Sequence, residues 1–339
     1  MRLPNLLTGG VLAACLLGGC GGESRVSEDG KFVIRLQLDW IPEPQHGGFF
    51  QAMAKGYFAE EGLEVQWKPG GPVRSVTEVV ASGGADFGQS ASTHIMQSIA
   101  NGMPITNVAS LFHHLPTALL MRPENPVQTW EDLDGKTIIA RPEAVYLKYL
   151  RHRYGIEFDV VKRTGGVGAF LADPQAIEEG FFIAEPYFIR KQGVEVRWLS
   201  LAQSGYDPYT IVFANKDFLA EHPEQARAFL RAWQRGWKDY LEGDPAPGNA
   251  IIRQHNPEAD PGFIAFGRQQ IIDFGLARGD PELGEDYGTI DPERIRAEIR
   301  TLESLGVLEP GELSLDDVLA LDFVPAPLEE AAEGLSAAR

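Results

Sequence analysis

The 339-residue sequence predicts an α/β protein of two lobes joined by a two-segment hinge. Strand-like and helix-like patterns alternate in two successive blocks, beginning near Phe32 and near Pro126. Such alternation means βαβ units and mostly parallel sheets. Two apolar segments, residues 115–122 and 209–215, lead out of the first block and back to it, and a protein crossed twice has a hinge.

In the first block, Phe32-Val33-Ile34-Arg35-Leu36-Gln37-Leu38 alternates and is rich in strand formers. Pro42, Pro44 and Gly47-Gly48 mark a turn before a short helix at 49–55. Strand 63–67, helix 73–81, strand 85–88, helix 92–100 and strand 105–111 follow, punctuated by Gly83-Gly84 and Asn101-Gly102. The second block reads as strand 137–140, helix 144–154, strand 158–161, the apolar strand Phe181-Phe182-Ile183 and strand 194–199. Gly165-Gly166-Val167-Gly168 lacks the Lys-Ser/Thr ending of a phosphate loop and reads as a turn needing φ > 0. Strand 210–214 returns to the first lobe, and helices at 223–241, 262–276 and 292–305 complete it. Phe229, Leu230, Trp233, Trp237 and Tyr240 recur at helical spacing and are read as packing. The divisions expected are a leader at 1–19, a flexible leash at 20–31, lobe one at 32–120 and 209–325, lobe two at 121–208, and a tail at 326–339.

The leader is an apolar run, residues 6–17, ending in Leu17-Gly18-Gly19-Cys20. It has the length of a secretory h-region and is too short to span a bilayer. Small residues before Cys20 read as a lipoprotein cleavage site, with Cys15 as the other possible position. The expected address is extracytoplasmic, tethered to a membrane through lipid on Cys20. Both cysteines of the chain lie in this leader, so the body offers no disulfide, thiolate metal site or cysteine nucleophile. The formal net charge of −18 argues against nucleic acid, which is held by Lys and Arg on phosphates.

The run Leu38-Asp39-Trp40-Ile41-Pro42, then His46-Gly47-Gly48-Phe49-Phe50 and Ala54-Lys55-Gly56-Tyr57-Phe58, resembles the opening of substrate-binding proteins of ABC importers. Gly84-Ala85-Asp86-Phe87-Gly88, Asp132-Leu133-Asp134-Gly135-Lys136, Phe170-Leu171-Ala172-Asp173-Pro174, Ala184-Glu185-Pro186-Tyr187 and Gly243-Asp244-Pro245-Ala246-Pro247 continue the likeness in order. It is nearest the branch that takes up thiamine pyrimidine precursors, related to the sulfonate, nitrate and taurine receptors. The resemblance implies the type II periplasmic-binding fold, a monomeric receptor without a cofactor, and an ABC permease with its ATPase as partners. Eukaryotic relatives on this fold make the thiamine pyrimidine and carry a cysteine-rich iron motif. This chain has no cysteine after Cys20, so it is expected not to be an enzyme.

Ligands of open α/β sheets sit at the carboxyl ends of the strands. Trp40, directly after the first strand, is the first choice for stacking on a flat heterocycle, with interlobe packing as its alternative. Asp39 either meets the ligand or holds its own loop. Glu185 offers a carboxylate to two N–H groups of an aminopyrimidine edge, or else forms an interlobe ion pair. His46, Tyr187, Ser90, Ser92, His113, Tyr206 and Tyr209 complete the candidate set. Ser90 and Ser92 flank a helix start and double as caps. His113-His114 on a strand point to opposite faces, and no metal site is expected. Arg141 is the one evident cation, which favours a neutral or amine-bearing ring over an anion.

Overall fold

A computed structural model describes residues 25–71 and 75–328. The leader, Cys20 and most of the tail lie outside the described residues. Among the described residues ten strands form two five-stranded sheets. They are β1 (Phe32–Gln37), β2 (Leu63–Lys68), β3 (Phe87–Ala91), β4 (Ile105–Phe112), β5 (Thr117–Met121), β6 (Thr137–Ala140), β7 (Asp159–Lys162), β8 (Glu178–Phe181), β9 (Arg197–Ser200) and β10 (Thr210–Asn215). The first sheet has the order β2-β1-β3-β10-β4 and the second β7-β6-β8-β5-β9. β1 runs parallel to β2 and β3, whereas β10 is antiparallel to β3 and β4. β6 runs parallel to β7 and β8, whereas β5 is antiparallel to β8 and β9. In each sheet the strand laid down directly after a crossing is the antiparallel one. The carboxyl ends of the parallel strands therefore gather on one edge of each lobe.

Three expectations are corrected. β5 belongs to the second sheet, so lobe one ends near His113 rather than at residue 120. The strand expected at Phe181-Phe182-Ile183 lies earlier, at Glu178–Phe181. Its buried positions include Glu178 and Glu179, each 3% exposed. These carboxylates hid the strand from an apolar reading, because they are buried only with Arg163 and Arg141 as partners. The leash is also shorter than expected. Arg25 donates to both oxygens of the buried Asp86 at 3.0 Å, where Arg35 also binds, and its carbonyl accepts the Val33 N–H. Residues 25–31 are thereby tied to the base of lobe one.

The helix Pro223–Glu242 buries Phe229, Leu230, Trp233, Trp237 and Tyr240 as its spacing predicts. Phe229 stacks on Phe87 at 4.3 Å and on Phe58 at 5.3 Å, fixing this helix to the first sheet. The helix Gly47–Ala54 crosses it so closely that a Cβ on Gly48 would fall inside the Trp237 ring. Gly48→Ala is expected to destabilise the fold by about 1–3 kcal/mol through overpacking. A urea midpoint unchanged from the parent chain would contradict this close approach. The helix Ala246–His255 was not foreseen, because Gly243-Asp244-Pro245-Ala246-Pro247 reads as a breaker; Pro247 lies in its first turn, where no N–H is needed.

Candidate functional site

The loop after β1 is pinned from several sides. Asn256 Nδ2 donates to the Pro42 carbonyl at 2.9 Å and Gly70 N–H to the Trp40 carbonyl at 3.0 Å. His46 is fully buried within it. Its Nδ1 accepts the Glu43 N–H at 3.2 Å, so Nε2 carries the proton donated to Asp39 Oδ1 at 2.8 Å. Asp39 also accepts from Gln45 at 3.4 Å. Asp39 and His46 thus hold the loop, and the indole of Trp40 stands 40% exposed on it. Ser90, at the end of β3, shares a 3.2 Å hydrogen bond with His94 Nδ1.

The second lobe presents charge to this loop. Glu185 is the first residue of the helix Glu185–Lys191. Its Oε1 pairs with Arg163 at 2.5 Å and its Oε2 accepts the Phe181 N–H at 2.8 Å. Arg163 also reaches Glu178 at 3.3 Å. Arg141, following β6, is held by Glu179 through both its backbone N–H and its guanidinium, while Tyr146 donates to the same carboxylate. The two lobes feel each other electrostatically. Glu43 is pushed up to about 8 by burial, then by Glu185 across the cleft and Asp39 beside it, against a hydrogen bond from Trp40. His94 is lowered by burial and by Arg141, against Glu143. The cleft is therefore acidic at its Trp40 end, while its far end carries Arg141 and His94.

The remaining candidates build the hinge and the lobe seam. Ser92 is buried and donates to Glu298 of the helix Pro292–Ser304, whose other oxygen accepts the Tyr209 N–H at 3.2 Å. Ser92 N–H is bound by the Tyr209 carbonyl at 2.9 Å. His113 is buried against the Asp286 carbonyl at 2.9 Å, and Tyr206 donates to Thr93 at 3.3 Å. Arg294 joins the crossings by donating to the carbonyls of His113 and Asp207, with its guanidinium 4.0 Å from the Tyr209 ring centre. His114 pairs with Asp207 at 2.7 Å, which raises its pKa. Tyr187 donates to Asp260 at 2.6 Å, and Lys191 reaches the same carboxylate at 2.7 Å, fastening lobe two to the helix Pro261–Asp273.

Asp39, Trp40, Ser90 and Glu185 stand at the carboxyl ends of the strands and His46 is buried beneath its loop, whereas Ser92, His113, Tyr206 and Tyr209 lie at the hinge and Tyr187 at the seam. What separates them is burial: Ser92, His113, Tyr206 and Tyr209 are buried, Tyr187 is fixed by Asp260, and Asp39, Trp40, Ser90 and Glu185 keep exposed surface. Sequence reasoning missed Glu43, His94, Arg163, Arg294 and Glu298. Glu43 lies between two prolines, and its backbone N–H binds the His46 three residues on. That short polar turn after a strand is the one signal that pointed to it.

Two α/β lobes that meet carboxyl edge to carboxyl edge about a double crossing are the architecture of a periplasmic-type binding protein. The chain belongs to the NMT1/THI5-like family, whose model matches residues 43–246. It is 28% identical over 265 residues to riboflavin-binding protein RibY of Chloroflexus aurantiacus, covering 75% of each chain. It is 29% identical over 251 residues to a 4-amino-5-hydroxymethyl-2-methylpyrimidine phosphate synthase of Saccharomyces cerevisiae, covering 64% of this chain and 73% of that one. Its fold is similar to the putative periplasmic sulfonate-binding protein SsuA of Methylobacillus flagellatus, with TM-score 0.61 at 18% identity over 90% of this chain and 95% of that one. The expectation that the chain is not an enzyme is corrected by the matches to synthases. A missing cysteine motif excludes one iron site and not catalysis on this fold. Among the described residues no helix is long and apolar enough to cross a membrane.

Proposed function

We propose that the protein is the solute-binding component of an ABC importer that captures a small flat heterocycle between its lobes. It is held outside the cytoplasm by lipid on Cys20 and presents the ligand to a permease and its ATPase. The observation that carries this reading is the exposed Trp40 indole on a loop pinned at both ends, beside the carboxylates of both lobes. Trp40 supplies the stacking face, Glu185 and Asp39 bind polar edges, His46 fixes the loop, and Ser90 borders the far end. Contacts from both lobes stabilise the closed state relative to the open one. The ligand class is a thiamine-type aminopyrimidine or a riboflavin-like ring, and the names of the two sequence relatives agree with that class.

Mass spectrometry of ligand released from purified protein, with fluorescence titration of riboflavin, 4-amino-5-hydroxymethyl-2-methylpyrimidine and taurine, tests this. Trp40→Ala is expected to weaken heterocycle binding by about ten- to thirtyfold with the circular dichroism spectrum retained. Taurine binding without heterocycle binding would reject the reading. A second reading, a pyrimidine-forming enzyme, is favoured by the matches to synthases; iron-dependent turnover by the same sample would select it.

A further inference from the structure

We propose that the helix Pro261–Asp273 holds the two faces of the cleft in register, with Gly267 as the positioning residue on which the Trp40 loop and the Glu185 turn are both seated. This rests on the binding reading above and deepens it, since a buried residue outside the cleft then sets the fit of the ligand.

Three segments meet at Gly267. A Cβ there would lie 2.8 Å from Pro44 Cγ and 3.0 Å from the Ile183 carbonyl oxygen. Carbon atoms in ordinary contact stand about 3.5–4.0 Å apart, so only a residue without a side chain lets both approach. Pro44 belongs to the loop after β1, four residues beyond Trp40, in lobe one. Ile183 follows β8 in lobe two, two residues before Glu185. The proposed stacking face and the proposed carboxylate thus rest on one spot of one helix.

Both lobes grip this helix. Lobe one holds its middle, where Arg268 donates to the carbonyls of Tyr240 and Leu241 at 2.8 and 2.7 Å. Lobe two holds both ends: Tyr187 and Lys191 bind Asp260 at its start, and the Phe182 ring lies 4.7 Å from Phe274 just past its finish. Neither neighbour of Gly267 can yield on its own. One is a proline ring in a loop fixed by Asn256 and by the Asp39–His46 pair. The other is a backbone carbonyl in a turn fixed by the Phe182 N–H on the Pro116 carbonyl at 3.0 Å and by Glu185 on the Phe181 N–H at 2.8 Å. A methyl group on Gly267 therefore moves the loop or the turn, by roughly 0.5–1 Å if ordinary contact is to be regained. A movement of that size takes a hydrogen bond of ordinary length past its working range. A ring placed between Trp40 and Glu185 then keeps one partner and loses its fit to the other.

Isothermal titration of riboflavin and 4-amino-5-hydroxymethyl-2-methylpyrimidine into the full chain tests this, with urea unfolding of each variant. The stoichiometry counts folded, competent molecules separately from their affinity. Gly267→Ala is expected to weaken binding of whichever heterocycle the parent chain binds by about tenfold or more. Gly262→Ala is the control. On the same helix, its Cβ would lie 2.6 Å from Tyr187 Oη, at the Asp260 end of the seam rather than beside Pro44. It is expected to lower the urea midpoint as Gly267→Ala does and to bind within about threefold of the parent. Pro44→Ala strips ring carbon from the other side of the contact without adding bulk, and is expected to weaken binding by about threefold to tenfold. A folded Gly267→Ala at parental affinity overturns the seat and leaves the receptor reading intact. An equal loss in Gly262→Ala does the same, because the effect would then follow from overpacking anywhere along the helix. If Gly267→Ala yields no folded protein, Pro44→Ala decides, and parental affinity there overturns the proposal. Failure of the parent chain to bind either heterocycle overturns the binding reading itself, and the seat with it.

Discussion

Arg294→Ala is expected to lower folding stability by about 3 kcal/mol. Arg294 projects from the helix Pro292–Ser304 and binds the outgoing crossing at the His113 carbonyl and the returning one at the Asp207 carbonyl. It also reaches the carboxylates of Asp207 at 3.2 Å and Glu285 at 3.4 Å. Truncation removes the donor common to two chain segments 87 and 181 residues away and leaves two partly buried carboxylates with less compensation. Arg294→Lys recovers little of this, because one ammonium cannot reproduce a planar fork that serves several acceptors at once. Urea unfolding measures the loss. A change below about 0.5 kcal/mol would mean that the crossings are held by packing alone.

How far the sequence could carry the reading follows from which forces are periodic. Strands β1, β2, β4 and β6 and the helices Ser92–Ala100, Pro223–Glu242 and Pro292–Ser304 are apolar at regular spacing, and each lies within a few residues of its expected place. β8 escaped because Glu178 and Glu179 occupy strand positions whose burial depends on arginines that follow β6 and β7, which no local pattern announces. β5 escaped because an apolar run says nothing of which sheet it joins. The cleft was legible where residue type and position coincide, as with an aromatic directly after a strand at Trp40. It was not legible where the role depends on a distant partner. The carboxyl of Glu43 acquires its character in part from Glu185, far along the chain in the other lobe. Ser92 and Tyr209 resemble ligand contacts until Glu298 is seen binding both. A family likeness does not separate such cases, because proteins named as receptor and as synthase both match this chain.

Glu298→Gln is expected to stabilise the protein at pH 8 and to leave it nearly unchanged at pH 5. Burial pushes Glu298 up to about 7, against hydrogen bonds from Ser92 and the Tyr209 N–H and the charge of Arg294. Its ordinary value is 4.5. The folded state therefore binds this proton more tightly than the unfolded chain does. The stability it contributes is fully present below about pH 4.5 and is lost as pH rises through 7. The loss is on the order of 3 kcal/mol by pH 8, because each tenfold difference in proton affinity between the folded and unfolded chains is worth about 1.4 kcal/mol. Glutamine has the same shape, accepts from the Tyr209 N–H and donates to Ser92 Oγ, so every buried group keeps a partner while the titration disappears. The difference in unfolding free energy between the two chains, measured at pH 5, 6.5 and 8, is predicted to grow with pH in favour of the variant. A constant difference would show that Glu298 is ionised in the folded state throughout, with the Ser92 and Tyr209 donors outweighing burial. Because Glu298 lies behind the hinge and not in the cleft, the change is expected to leave heterocycle affinity at pH 7 within about twofold.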